Sequence, residues 1–234
     1  MKPHNLLAAV AIPLLFCGVV VISHATESTV ASLQPGADVL NLSSPRMIKA
    51  MSFGYDSLMA DIYWTRVVQY YGDKRHAQGQ GIHGASEHFP LLMPLLDITT
   101  SLDPHLLVAY KVGAIFLAEP APRGAERPDL AVKLLRQAIG NNPDDWRLWN
   151  DLGMVYYEDL RDYKAASDAY VQGSKNPKAD DWMKVMAAKI AQDGQSTEIS
   201  RFLWNEVYNS SKDENIRRNA LEHLKQLEQR PARR

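Results

Sequence analysis

Residues 149–177 read WNDLGMVYYEDLRDYKAASDAYVQGSKNP, and the spacing inside this stretch decides the fold. Trp149, Leu152 and Tyr156 are separated by three and four residues, so they share one face of an α-helix. Ala166 and Tyr170 repeat that spacing in a second helix, which Pro177 stops. Gly153 sits inside the first helix, where the missing Cβ lets a neighbouring helix approach closely. Each helix has one apolar face, and a pair of this kind cannot cover both faces by itself. It must stack on further pairs.

The flanking sequence supplies them. Asn142-Pro143 and Asn176-Pro177 lie 34 residues apart, and Asp103-Pro104 lies 39 residues before the first of these. The preceding unit has Val112, Gly113 and Phe116, then Ala131, Leu135 and Ala138. Between its helices, residues 119–128 hold Pro120, Pro122 and Pro128, which forbid a continuous helix and predict an exposed loop. Upstream, Trp64, Val67, Val68 and Tyr71 keep the spacing without the glycine, with a second helix over 89–102 and a long Gly-rich segment, 72–86, between them. Downstream, 180–192 and 197–208 form another pair around Asp193-Gly194-Gln195, with Trp182 and Trp204 as large contacts. A last helix over 213–229 has Ile216, Ala220, Leu221, Leu224 and Leu227 on one stripe and charge on the other, as the end of a stacked array requires.

The pattern Trp149, Leu152-Gly153, Tyr156, Ala166, Tyr170, Pro177 resembles the tetratricopeptide repeat, with one extra residue between Tyr156 and Ala166 as the main departure. Residues 54–64, together with Tyr70-Tyr71-Gly72 and Pro94-Leu95-Leu96-Asp97, are similar to bacterial envelope tetratricopeptide proteins. The resemblance implies an all-α superhelix of helix-turn-helix units and a role in protein–protein interaction; it implies no particular activity.

The amino end differs from the rest. Leu6 to Ile22 is seventeen residues without a charge, preceded by Lys2, and as a helix it would span roughly 25 Å. That length fits a retained single-pass anchor, which is our expectation for residues 1–25. Ser23-His24-Ala25 also makes an acceptable signal cleavage site, which would release a soluble periplasmic module, and Cys17 is a poor lipidation site because Phe16 precedes it. No Lys or Arg follows the apolar run until Arg46, so the positive-inside rule places everything beyond Ile22 outside the cytoplasm of a bacterial cell. Residues 26–44 read as a linker, 45–229 as the helical solenoid, and 230–234 as a basic tail.

Composition narrows the function. The chain of 234 residues is 46% hydrophobic with a net charge of −1 and one Cys. Near-neutrality excludes nucleic acid as the main partner, and a lone Cys excludes a disulfide framework or a cysteine zinc site. No phosphate-binding loop, zinc-protease helix or dinucleotide fingerprint is present, and Gly84-Ala85-Ser86-Glu87-His88 lacks the closing glycine and the strand of a nucleophile turn. Asp144-Asp145 and Asp180-Asp181 follow prolines and precede helices, where a carboxylate serves as a cap. We therefore expect no enzyme activity, no cofactor and no small-molecule substrate. His76, His83 and His88 are the only weak candidates for holding a metal or haem iron, and their spacing matches no compact motif. That loop supports an alternative reading as a metal- or haem-related accessory protein.

What remains is a scaffold, subunit or assembly factor of a membrane-bound complex, binding a partner polypeptide through the inner face of the array and its long loops. Helical period places Arg147, Asn150, Met154 and Tyr157 on that face, continued by Tyr110, Ala114 and Leu117 and then by Arg66 and Gln69. The residues expected to hold the repeats together are Trp64, Tyr71, Gly113, Phe116, Ala131, Trp149, Leu152, Gly153, Tyr156, Ala166 and Tyr170.

Overall fold

The computed structural model describes residues 44–79, 89–121 and 123–229, with side chains assigned from 44 to 76 in the first of these. The expected anchor, most of the linker, His83, His88 and the basic tail lie outside the described residues. Among those described, the chain is all-α, with ten helices and no strand. They are α1 (Pro45–Met51), α2 (Asp56–Gly79), α3 (Leu92–Leu102), α4 (Leu107–Ala118), α5 (Pro128–Asn141), α6 (Arg147–Met154), α7 (Tyr163–Ser174), α8 (Trp182–Asp193), α9 (Thr197–Ser210) and α10 (Glu214–Gln229). A π turn, Val155–Asp159, continues α6. None of these helices is long and apolar enough to cross a membrane.

Consecutive helices pair as α2 with α3, α4 with α5, α6 with α7 and α8 with α9, and each pair packs on the next, with α10 laid against α9. The helix starts follow from sequence. Ser44 accepts from Met47 N at 3.3 Å ahead of Pro45, Asp162 accepts from Ala165 N at 3.0 Å, and Asp213 accepts from Asn215 N at 2.7 Å. Asp145 acts similarly toward Arg147 N, at 3.1 Å. Asp181 does not: its carboxylate accepts the Ser211 hydroxyl at 2.9 Å, tying the start of α8 to the end of α9.

The repeated asparagines link successive units. Asn142 Nδ2 donates to the carbonyl of Pro104 at 3.0 Å, and Asn176 Nδ2 donates to the carbonyl of Asp144 at 3.0 Å. Each asparagine thus reaches back one unit to satisfy a carbonyl in the preceding inter-pair turn, which would otherwise lack a partner at the helix junction.

Close packing runs through the glycines. A Cβ on Gly153 would lie 2.6 Å from Tyr170 Cε2, and one on Gly113 would lie 2.5 Å from Leu96 Cδ2. Tyr170 and Leu96 are fully buried, as are Ala131 and Ala166, and Leu152 and Tyr156 are nearly so. Between the first two pairs the Tyr71 ring stacks on Phe116 with centroids 3.7 Å apart, and Trp64 packs half-buried against the core. Trp149, also half-buried, faces Gly173, where an added Cβ would be 2.8 Å from its own.

The segment after α4 is mostly exposed and is tied back onto the helix end: Arg127 N donates to Leu117 O at 2.7 Å, Ala125 N to Phe116 O at 3.1 Å and Glu126 N to Glu119 O at 3.0 Å. The chain doubles back to satisfy the terminal carbonyls of α4. One expectation is corrected: in α10, Ala220 and Leu227 are buried but Leu221 is exposed. His223 takes its place, stacked on the fully buried Trp204 with ring centroids 4.2 Å apart.

That stack carries a pH dependence. Burial, with Lys189 adding repulsion, pushes the His223 pKa below its ordinary value of 6.5, against the pull of Glu222 and Asp193. The unfolded chain then binds the proton more readily than the folded one, so stability is full above about pH 6.5 and is lost as the pH falls toward the folded value. Thermal melts on either side of that pH, compared between the native chain and His223→Gln, should show part of the acid loss disappearing in the variant. An identical loss in both chains would assign it elsewhere.

Candidate interaction groove

Helix α4 lies between α3 and α5, and half of its residues are buried. Ala109, Tyr110, Gly113, Ala114, Leu117 and Ala118 are all covered. Tyr110 receives a hydrogen bond from Asn141 Nδ2 at 2.9 Å, and burial raises its phenol pKa. The exposed stripe of α4 is instead Val108, Lys111 and Ile115, one residue out of step with the sequence expectation, and Ile115 is 61% exposed. Tyr110 and Leu117 are therefore not surface groups.

Across from this stripe stands the outer face of α6 and its π turn. Here the extra residue noted in the sequence is absorbed: Leu160 N donates to Val155 O at 3.1 Å, five residues back, and the chain leaves through Arg161 at φ 55°. Such an insertion widens one turn of a helix and redirects its side chains. A cleft of about 550 Å³ lies between α4 and α6. Ala114, Ile115, Ala118, Leu135, Met154 and Val155 make its apolar lining; Glu119, Asp151, Glu158 and Asp159 make an acidic margin, with Lys111 beside them.

The electrostatics of that margin are set by burial. Desolvation raises the Asp151 pKa, with the Lys111 ammonium 3.5 Å from Oδ2 pulling the other way. Asp151 Oδ2 receives no hydrogen bond among the described residues. Burial also raises the Asp159 pKa, and neighbouring Glu158 adds to it. Glu119 accepts the Tyr71 hydroxyl, whose pKa is pushed up to about 12 by burial and by that bond, and it holds Arg123 at 3.6 Å. Partly desolvated carboxylates of one sign beside an apolar floor attract a cation carried on an apolar body.

Of the surface residues expected from sequence, the cleft gathers Ala114 and Met154. Asn150 is half-buried and structural, its Oδ1 accepting from Tyr170 OH at 3.0 Å. Tyr157 turns toward the next pair and donates to Asp193 Oδ2 at 3.1 Å, with an edge contact to Tyr163. Arg147 is exposed over the Trp146 ring at 5.3 Å and borders a separate polar hollow of about 580 Å³ lined by His105, Asn142, Asp144 and Lys178. Arg66 and Gln69 are exposed on α2, with the Arg66 guanidinium 4.9 Å from the Tyr63 ring. His76 is exposed on α2, and no cluster of three potential metal ligands occurs among the described residues.

Sequence reasoning missed Lys111, Ile115, Asp151, Glu158 and Asp159. The signal for the last two was present in the extra residue, because an insertion in a helix has to distort it somewhere. No protein-family model matches the chain, and no curated protein matches it.

Proposed function

We propose that this chain is a non-catalytic adaptor of tetratricopeptide type, held on the outer side of a bacterial cytoplasmic membrane by residues 1–25, where it serves a membrane-bound complex by capturing a partner polypeptide. The observation that carries the reading is the open cleft between α4 and α6, apolar in its floor and acidic at its margin. Its chemistry selects a segment with an apolar stripe flanked by Lys or Arg: the stripe covers Ile115 and Met154, and a cation meets the acidic margin of Glu119, Glu158 and Asp159. Membrane confinement raises the effective concentration of both partners, so a modest intrinsic affinity is sufficient.

Photo-crosslinking in cells tests this. A photoreactive amino acid at Ile115 should give a discrete covalent adduct with a membrane-fraction protein, whereas the same group at exposed Lys212 should not. No adduct from position 115, or the same adducts from both positions, would remove the cleft from consideration.

A further inference from the structure

A second apolar surface lies where the chain enters the helical domain. Met47 and Met51 are one turn apart and exposed on α1 beside buried Ile48, Tyr55 is exposed just ahead of α2, and Leu58 and Ile62 lie on the face of α2 opposite buried Ala60, Tyr63 and Val67. The turn joining them carries Phe53 at its tip, 88% exposed. Large apolar groups gathered in this way on the surface of a folded domain mark a contact with something apolar.

The turn itself is unusual. Tyr55 N donates to Ser52 O at 2.9 Å, and both central residues have positive φ, 50° at Phe53 and 90° at Gly54. This is the pattern of a type I′ turn, whose first central position favours Gly, Asn or Asp. Phenylalanine there is strained and gains nothing from packing, while the Ser52 hydroxyl, bonded to Lys49 O at 2.7 Å and to the Asp56 carboxylate, holds the turn in place. An aromatic side chain is thus displayed outward at a cost to the fold.

The sequence indicates the occupant. The patch begins at Met47, three residues after Ser44, and 21 residues separate Ser44 from the end of the apolar run at Ile22. Even fully extended, 21 residues reach at most about 75 Å, so a domain tethered by that run stays within about that distance of the bilayer and meets its surface repeatedly. Exposed Arg46 and Lys49 lie beside Met47 and Met51, Lys49 with the Asp56 carboxylate at 4.0 Å, and aromatic, aliphatic and basic side chains together are the composition that settles at the lipid headgroup boundary. We infer that Met47, Met51, Phe53, Tyr55, Leu58 and Ile62 form a lipid-docking surface that inserts shallowly into the bilayer and holds the helical domain against it. The inference rests on the membrane reading above for its tether, and the docking surface itself is a separate contact.

The experiment uses the full-length chain with Cys17→Ser, carrying Ser57→Cys in one preparation and Lys212→Cys in another, each labelled at the introduced thiol with an environment-sensitive dye. Each is reconstituted into vesicles of phosphatidylethanolamine and phosphatidylglycerol, with or without lipids bearing a headgroup-level spin-label quencher. The dye at position 57 should shift to the blue and be quenched about two-fold by the labelled lipid, and the dye at 212 should not. Adding Phe53→Asp and Leu58→Asp, both at exposed positions, should abolish the quenching while the helical circular dichroism is unchanged. Absence of quenching at 57, equal quenching at both positions, or quenching that survives the two aspartates overturns the docking surface, and protection of the patch only in native membranes would give it to a protein instead. Alkaline carbonate extraction of the same vesicles reads the anchor independently. Extractable protein that is still quenched at 57 refutes the anchor and keeps the docking surface, and resistant protein without quenching does the reverse.

Discussion

Replacing Gly153 with leucine should lower stability by about 3 kcal/mol, at the upper end of the cost of overpacking a core. For a domain of this size that corresponds to a fall in melting temperature of roughly 6–12 °C. The magnitude follows from what cannot move. A Cβ alone would meet the Tyr170 ring at 2.6 Å and 2.8 Å. Tyr170 is fully buried, its hydroxyl is tied to Asn150, and its ring packs edge-on against Trp182 with centroids 6.1 Å apart. Relief requires α6 and α7 to separate, which strips contacts along both helices. Gly140 is the internal control, because a Cβ there meets nothing within 4 Å. Gly140→Ala should be neutral or stabilising by about 0.5–1 kcal/mol, through helix propensity alone. Thermal unfolding followed by circular dichroism compares the two, and an unaltered midpoint for Gly153→Leu would contradict the packing described.

The helices were legible because their apolar residues recur at three and four, and because Pro and Asn-Pro mark their ends. The pairing was legible from Gly113 and Gly153, which have no other use in mid-helix. What sequence could not set was rotation about the helix axis. A helix that buries one face reveals its outward side as the polar one, but α4 buries Tyr110, Ala114 and Leu117 along with Gly113, and its outward stripe includes Val108 and Ile115. With apolar residues on both sides, the period is clear and the phase is not. Lys111 was the only marker of the exposed side, and one lysine does not fix a register. In α10 the polar character of His223 concealed its stacking on Trp204 in the same way.

The same ambiguity determines which substitution examines the groove most sharply. Changing Ile115 and Met154 together to glutamate should reduce affinity for the crosslinked partner by about 100-fold or more. Two apolar side chains that a partner would cover are lost, each accounting for about 1.5 kcal/mol on full burial, and new charge is placed where an apolar stripe must sit. Folding should be spared, since Ile115 is 61% exposed and Met154 39%. A contrasting pair, Tyr157→Phe with Arg147→Ala, should leave affinity within about two-fold, because those side chains face Asp193 and Trp146 rather than the cleft, and surface changes outside such a site have small effects. Acidification should weaken the native complex earlier than it would for ordinary carboxylates. Burial holds the Asp151 and Asp159 pKa values above their usual range, so their charge is lost first as the pH falls. Titration of binding against pH, with Asp151→Asn as the comparison, should show the native complex losing affinity in acid and the variant starting weaker but responding less. If the glutamate pair leaves affinity intact while the Tyr157 and Arg147 pair abolishes it, the partner is held at the polar hollow beside Trp146, and the phase read from sequence was the functional one after all.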